Sequence, residues 1–156
     1  MNTLIHHVRY NRWATARTLR SAGVINHEEQ IRDLGASYGS VRGTLVHIYQ
    51  ADRIWWDRLM EQPTLPLEKY EPPAERAVWE REWTALLDRY VAWAEGFTDA
   101  DWNRVIAYRD TKGNPYESPV WQILLHLTNH DSYHRGQVAS LLRQLGHAPL
   151  GTDLIL

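Results

Sequence analysis

The sequence predicts an all-α protein, a four-helix bundle with a long crossover loop that carries a small hairpin before helix four. Four segments repeat apolar residues at spacings of three and four, which is the period of an α-helix with one buried face. Glycine, proline, asparagine and aspartate are concentrated in the breaks between these segments. A strand pattern occurs only in the last break, so a sheet large enough to define another fold class is not expected.

The first helix is predicted over residues 3–22 and ends at Gly23, which suits a helix C-terminus. The second is predicted over residues 40–61 and ends before Pro63, because proline cannot continue a helix. Asn11 is the exception on the apolar face of the first helix. A buried amide needs hydrogen-bond partners, so Asn11 is a candidate either for support of a site or for a purely structural hydrogen bond.

The third helix is predicted after Pro73, where large residues recur at spacings of four and three. These residues are Trp79, Trp83, Leu86, Tyr90, Trp93 and Phe97. The crossover loop, residues 98–118, is predicted to be organised. Residues 98–101 resemble a capping box that opens a single helical turn, and residues 105–108 resemble a strand that enters a turn and returns through residues 115–118.

The fourth helix is predicted to begin at Ser118 and Pro119, an N-cap hydroxyl followed by a proline suited to the first helical position. Gly146 marks its end, which gives a helix about 40 Å long at 1.5 Å per residue. One apolar stripe runs along it. Its members are Val120, Ile123, Leu124, Leu127, Val138, Leu141, Leu142 and Leu145.

The segment HLTNHDSYHRGQ in this helix places His126, His130 and His134 four residues apart, so they lie above one another on one face, each about 40° from the next. His134 falls inside the apolar stripe, His130 lies at its border, and His126 and Gln137 lie further out. A buried imidazole needs a partner for each ring nitrogen. The helix alone leaves two interpretations open: core histidines bonded to neighbours or water, or histidines that share a metal ion.

Composition limits the classes of function. Residues 1–156 are expected to form one domain, and a net charge of −2 with both signs intermixed predicts neither nucleic acid nor an anionic membrane as a partner. The sequence contains no apolar run of about 20 residues and no apolar signal core at its start, so a cytoplasmic location is expected. Because the chain has 0 cysteines, any thiol chemistry would need sulfur from a small molecule.

The second helix offers a further histidine, since bundles build metal sites from side chains on facing helices. His47 lies on the flank of that helix's apolar arc, where a lone histidine is more often structural than a ligand. Asp52, one turn further, is expected to be buried and to need a partner. The candidate partners are Asn129, Tyr133 and Arg135. A hydrogen bond that holds the bundle together is favoured for Asp52 over a catalytic role.

Three motifs carry a resemblance to a known family. Tyr10–Ala14 resembles a YNxWA opening, His47–Asp52 resembles an HxxxAD segment, and His126–Gln137 matches an HxxNHxxxHRGQ ending, which is the specific one. On these motifs the chain resembles the DinB-like (DinB/YfiT-like) metal-binding four-helix-bundle family over nearly its whole length. That resemblance implies an up-down-down-up bundle, usually a homodimer, with a bound divalent transition metal such as zinc or nickel.

The resemblance also implies a ligand set, which by motif position is His47, His130 and His134. His126 belongs to the motif but not to that set and is interpreted as a supporting or rim residue. Gln137 is expected to bond to a metal-bound water. Three neutral imidazoles would leave a divalent ion its full charge and an open position, as in catalytic sites.

The sequence shows no clear general base for such a site. HDSYH differs from the HExxH metalloprotease motif, because Asp131 is shorter than glutamate and falls on the far side of the apolar stripe, so a protease is not favoured. Better understood relatives are thiol-dependent S-transferases and isomerases, and the resemblance favours a metal-dependent enzyme that activates a low-molecular-weight thiol. The alternatives are a non-catalytic metal-binding stress-response protein, whose site would be closed by a fourth ligand such as His126, and a metal-assisted hydrolase.

Overall fold

The computed structural model describes residues 3–155, so residues 1, 2 and 156 of the predicted domain lie outside the described residues. The helices are α1 Thr3–Ala22, α2 His27–Ile31, α3 Val41–Leu59, α4 Arg76–Ala94, α5 Asp99–Asn103 and α6 Val120–Gln144. A 3-10 turn spans Leu67–Lys69, and the hairpin strands are β1 Val105–Arg109 and β2 Pro115–Pro119. The four long helices are α1, α3, α4 and α6. The predicted all-α fold with a small hairpin is confirmed.

Contacts between the long helices give their arrangement. Helices α4 and α6 each pack against both α1 and α3. The contacting residues are Arg9 with Glu95 and Ala22 with Arg76 between α1 and α4, Tyr49 with Trp79 and Trp56 with Trp93 between α3 and α4, and His47 with His134 and Trp55 with His126 between α3 and α6. Partner numbers rise together for α3 with α4, and also for α1 with α6, where His7 contacts Thr128 and Thr15 contacts Arg135, so each of these two pairs runs parallel. The bundle is up-down-down-up, as predicted.

Helix α3 begins as the sequence predicts, because the Ser40 hydroxyl accepts the N–H of Gly43 at 3.0 Å. The start of α6 differs from the prediction. Ser118 pairs with Ile106 in the hairpin, and β2 leads directly into α6 without an N-cap hydroxyl. The N–H of Val120 instead donates to the carbonyl oxygen of Arg104 at 2.9 Å, so the loop before the hairpin satisfies this helix end.

The core lies between the four long helices and contains the aromatic face of α4. Trp83 has no exposed surface and stacks on Trp79, with ring centroids 5.8 Å apart. Ile48 and Ile123 fill the core beside them and are almost fully buried. Over residues 3–155, every helix falls short of the combination of length and apolar character that crossing a membrane requires.

Candidate metal centre

Three histidines from two helices meet at the edge of the core. His47 on α3 faces His130 and His134 on α6, and the nearest ring nitrogens of all three lie within 4.8 Å of one another. The Nε2 atoms of His47 and His130 are 3.0 Å apart. His134 is buried, whereas His47 and His130 are partly exposed. Because α3 and α6 are antiparallel neighbours, one turn of each supplies the whole cluster, and the cluster can be reached from the surface.

Neighbouring acceptors fix the orientation of the two imidazoles on α6. The Nδ1 atom of His134 lies 2.8 Å from Oε1 of Gln137, and the Nδ1 atom of His130 lies 3.1 Å from Oδ1 of Asp131. An oxygen acceptor requires the proton on Nδ1, so each Nε2 keeps a free lone pair. A hydrogen bond from Gln137 to a metal-bound water stays a prediction, and the contact that this structure shows is with the ring of His134. Gln137 orients the imidazole of His134 itself, as outer partners of metal-binding histidines do.

The environment favours the neutral form of His47 and His134. Burial, followed by the charges of His130 and His134, lowers the pKa of His47 to about 4. Burial also lowers the pKa of His134, although the hydrogen bond that His134 donates to Gln137 acts in the opposite direction. His47 and His134 are therefore neutral at pH 7. A neutral imidazole is the form that binds a metal ion.

The donor set fits a divalent transition metal. Imidazole nitrogen suits zinc, nickel and copper, and the cluster itself contains no carboxylate or sulfur. Ligands bound at roughly 2.0–2.1 Å to one ion stand about 2.9–3.4 Å apart, and the separation of the His47 and His130 Nε2 atoms is 3.0 Å. Two lone pairs at that distance repel each other unless a proton or a cation lies between them. The three-histidine group could hold a metal ion.

A buried polar network lies behind His130. Asp131 is fully buried, and its Oδ2 accepts a hydrogen bond from Nδ2 of Asn11 at 2.6 Å. Oδ1 of Asn11 accepts one from NH1 of Arg135 at 2.5 Å, so the amide joins a carboxylate to a guanidinium. The sequence placed Asp131 away from the histidines. The structure corrects this, because the carboxylate packs between α6 and α1 and its Oδ1 still reaches the Nδ1 of the adjacent His130.

Asp52 is fully buried, and its hydrogen bonds to α4 differ from the predicted ones, although its carboxyl group also lies near that of Asp131 on α6. Its Oδ2 accepts a hydrogen bond from Nε1 of Trp83 at 2.6 Å, and its backbone oxygen accepts one from the hydroxyl of Tyr90 at 2.8 Å. The predicted partners on α6, Asn129, Tyr133 and Arg135, do not bond to it. Burial, together with the nearby charge of Asp131, raises the pKa of Asp52 well above its usual range. Asp52 therefore links α3 to α4 and does not contact the histidines.

His126 lies beside the cluster rather than in it. Its ring is 6.0 Å from His130 and 5.5 Å from Trp55, measured between centroids, and it is absent from the group whose ligand atoms converge. Trp55 leads into a surface cleft of about 290 Å³. The cleft is lined by Trp55, Arg58, Tyr108, Asp110, Thr111 and Tyr116.

Arg58 is the positively charged residue among those that line this cleft. Its guanidinium lies 4.5 Å from the ring centroid of Trp55 and 5.2 Å from that of Tyr108, and its NH2 donates to the backbone oxygen of Arg109 at 2.7 Å. The Arg58 side chain is buried, and its Nε has no hydrogen-bond partner within the described part of the chain. A buried cation of this kind favours an anionic group nearby.

Tyr38 is a site residue that the sequence did not indicate. Its hydroxyl oxygen lies 2.9 Å from Nε2 of His47, its ring stacks on that imidazole at 3.9 Å, and its ring meets His134 edge-on at 5.5 Å. Burial raises the pKa of the Tyr38 phenol. Tyr38 belongs to the turn before α3, which has no helical period. The only signal in the sequence was its position directly before Gly39 and the Ser40 cap.

Comparison with known proteins agrees with the fold and the motifs. The sequence model described as the DinB family matches residues 1–156. The chain is 24% identical to Protein DinB of Bacillus subtilis (strain 168) over 151 residues. This alignment covers 92% of this chain and 87% of that protein. The crystal structure of a DinB-like protein from Bacillus cereus ATCC 10987 superposes with a TM-score of 0.65 at 22% identity, over 88% of this chain and 89% of that one. Since the family match extends over the whole sequence, the chain belongs to the DinB family.

Proposed function

We propose that His47, His130 and His134 bind one divalent transition metal ion, zinc or nickel, and that the protein uses it to activate a low-molecular-weight thiol for transfer to an electrophile. The observation that carries the proposal is the convergence of three imidazoles, two of them held with Nε2 free by Gln137 and Asp131. Neutral ligands leave the full charge of the ion available to a further ligand, which favours catalysis over a purely structural site.

In the proposed thiol transfer, the protein contributes the residues that orient the histidines and that lie beside them. Gln137 and Asp131 orient the two imidazoles on α6, and the rings of His126 and Trp55 lie beside the cluster. A bound divalent ion would lower the pKa of a thiol or water towards neutrality. The sulfur then forms a bond to the electrophilic carbon, the leaving group departs with its electron pair, and the thiol proton goes to solvent. Because the chain has 0 cysteines, the thiol must be a separate molecule.

The cleft lined by Arg58 favours the proposal that the substrate is anionic. Trp55, which lines the cleft, contacts His126, and His126 in turn contacts His130. The volume of the cleft, about 290 Å³, is close to the lower end of the range for small-molecule sites. A carboxylate on the electrophile or on the thiol could bind the Arg58 guanidinium, while Trp55 and Tyr108 contact the apolar part. The proposed substrate is therefore a small organic acid or a thiol that carries a carboxylate.

Metal content and helicity test the site. We expect one metal ion per chain in the wild type, and loss of most of it in His134→Ala, while circular dichroism shows an unchanged helix content. His6→Ala is the matched control, since His6 is an exposed histidine on α1, and it should retain the metal. Full retention in His134→Ala would refute the ligand assignment.

Turnover tests the chemistry. Metallated protein, chelated protein and His130→Ala should be compared with several low-molecular-weight thiols and a chromogenic electrophile. We expect transfer only with the metallated wild type. Bound metal without turnover by any thiol would favour the non-catalytic alternative, and metal-dependent cleavage of an ester without thiol would favour a hydrolase.

A further inference from the structure

We propose that the Tyr38 hydroxyl donates a hydrogen bond to the small ligand, the thiol sulfur or an anion in its place, that occupies the open position of the histidine centre. This inference rests on the proposed metal site. It assigns to Tyr38 a ligand-binding role, whereas the fourth group suspected from the sequence was His126, which lies outside the cluster.

The stacking geometry places the Tyr38 hydroxyl beside Nε2 of His47, the nitrogen that would bind an ion. The rings of Tyr38 and His47 are inclined by only 15° and their centroids are 3.9 Å apart. An imidazole binds a metal in the plane of its ring, along the nitrogen lone pair. The hydroxyl oxygen, 2.9 Å from Nε2, belongs to a ring stacked over that plane. It is therefore adjacent to the nitrogen that would bind an ion, and an ion there would break this hydrogen bond without displacing the stacked ring.

Metal binding changes the hydrogen bonding of Tyr38. Its hydroxyl has one hydrogen-bond partner among residues 3–155, Nε2 of His47. Once that nitrogen bonds to an ion, it has neither a proton to donate nor a free lone pair to accept. The phenol proton is then free to bond to the atom that the ion holds in its open position. A negatively charged acceptor benefits most, because hydrogen bonds to charged groups are the strong ones.

The turn that carries Tyr38 is held firmly in place. The N–H of Gly39 donates to the oxygen of Ala36, and the N–H of Leu34 donates to the oxygen of Gly39, both at 2.8 Å. Gly39 has a φ of 71°, a conformation that favours glycine. The turn then joins the Ser40 cap of α3, the helix that carries His47. Tyr38 is 39% exposed, so it borders the solvent-facing side of the cluster, where a small molecule would enter.

The test uses Co²⁺ as a spectroscopic probe in the full chain. Azide and 2-mercaptoethanol are titrated into the Co²⁺-loaded wild type, Tyr38→Phe and Tyr133→Phe, and visible absorption gives each dissociation constant. Phenylalanine keeps the stacked ring and removes only the hydroxyl. Tyr133 is the matched control, because its ring also contacts His134, at 5.0 Å, but it is largely exposed and has no hydrogen bond to a histidine.

We expect Tyr38→Phe to bind azide and 2-mercaptoethanol about tenfold more weakly or worse, with Co²⁺ affinity close to the wild type and Tyr133→Phe unchanged. Equal azide affinity in Tyr38→Phe and the wild type would overturn the inference. Loss of Co²⁺ from Tyr38→Phe would also overturn it, since the phenol would then be a direct ligand. A wild type that takes up no Co²⁺ refutes the metal site as well. An azide effect without thiol turnover keeps the inference and refutes only the thiol chemistry.

Discussion

Replacing Asn11 with alanine should lower the free energy of unfolding by about 3–5 kcal/mol. Asn11 is buried on α1 and bonds to two buried charged groups, the carboxylate of Asp131 at 2.6 Å and the guanidinium of Arg135 at 2.5 Å. A hydrogen bond to a charged group contributes about 1.5–3 kcal/mol, so the pair gives roughly 3–6 kcal/mol. Water that enters the vacated space would recover part of this.

Urea unfolding of the metal-free protein, followed by circular dichroism and tryptophan fluorescence, measures the effect. With an m value of roughly 2 kcal/mol/M, the loss corresponds to a midpoint lower by about 1.5–2.5 M. Thr15→Val is the matched control. Thr15 accepts only the longer bond from Arg135, at 3.2 Å, and NH1 of Arg135 remains bonded to Asn11 in that variant. The control should lose less than about 1.5 kcal/mol. An Asn11→Ala midpoint within about 0.5 M of the wild type would refute the network.

Three further predictions concern affinity, pH and assembly. Asp131→Asn should weaken zinc binding in a competition titration by about 10–100-fold, because it changes the group that orients His130, whereas Asp88→Asn, on the exposed side of α4, should leave the affinity unchanged. The free energy of unfolding of the metal-free protein should fall as the pH drops from 6.5 towards about 4, because His47 binds a proton in the unfolded chain but not in the folded one. Equal urea midpoints at pH 7 and pH 5 would contradict this prediction. Sedimentation at micromolar concentration should show a two-fold homodimer, in line with exposed apolar residues on α6 such as Leu125 and Tyr133, and a clean monomer of 18.3 kDa would count against it.

The sequence predicted the fold because its information is local. Apolar periodicity gave the four long helices, Ser40 marked the start of α3, and the turn residues marked the hairpin. The start of α6 escaped prediction because Ser118 serves equally well as a cap and as a strand residue. Only its pairing with Ile106 decides between the two.

The candidate site was predictable where a motif carries it and not elsewhere. Helical spacing together with the family motif grouped His47 with His130 and His134, which the fold brings together. The contact of Asp131 with His130 was missed because the helical wheel places Asp131 on the far side of the apolar stripe, whereas its carboxylate lies against α1 and still reaches the adjacent imidazole. Tyr38 lies in a turn, so its contact with His47 depends on the folded path of the chain.

The origin of the cluster on two distant segments has a thermodynamic consequence. His47 and His130 are 83 positions apart in sequence, so in the unfolded chain only His130 and His134 of the three proposed ligands stay close together. An ion that binds the complete set would stabilise the folded state by RT ln(1 + [L]/Kd), about 4 kcal/mol at a thousandfold excess over Kd. Linkage is reciprocal, so separating α3 from α6 would release the ion. Free metal concentration would thereby set how much of the protein is folded, and the packing of those two helices would set how firmly the metal is held.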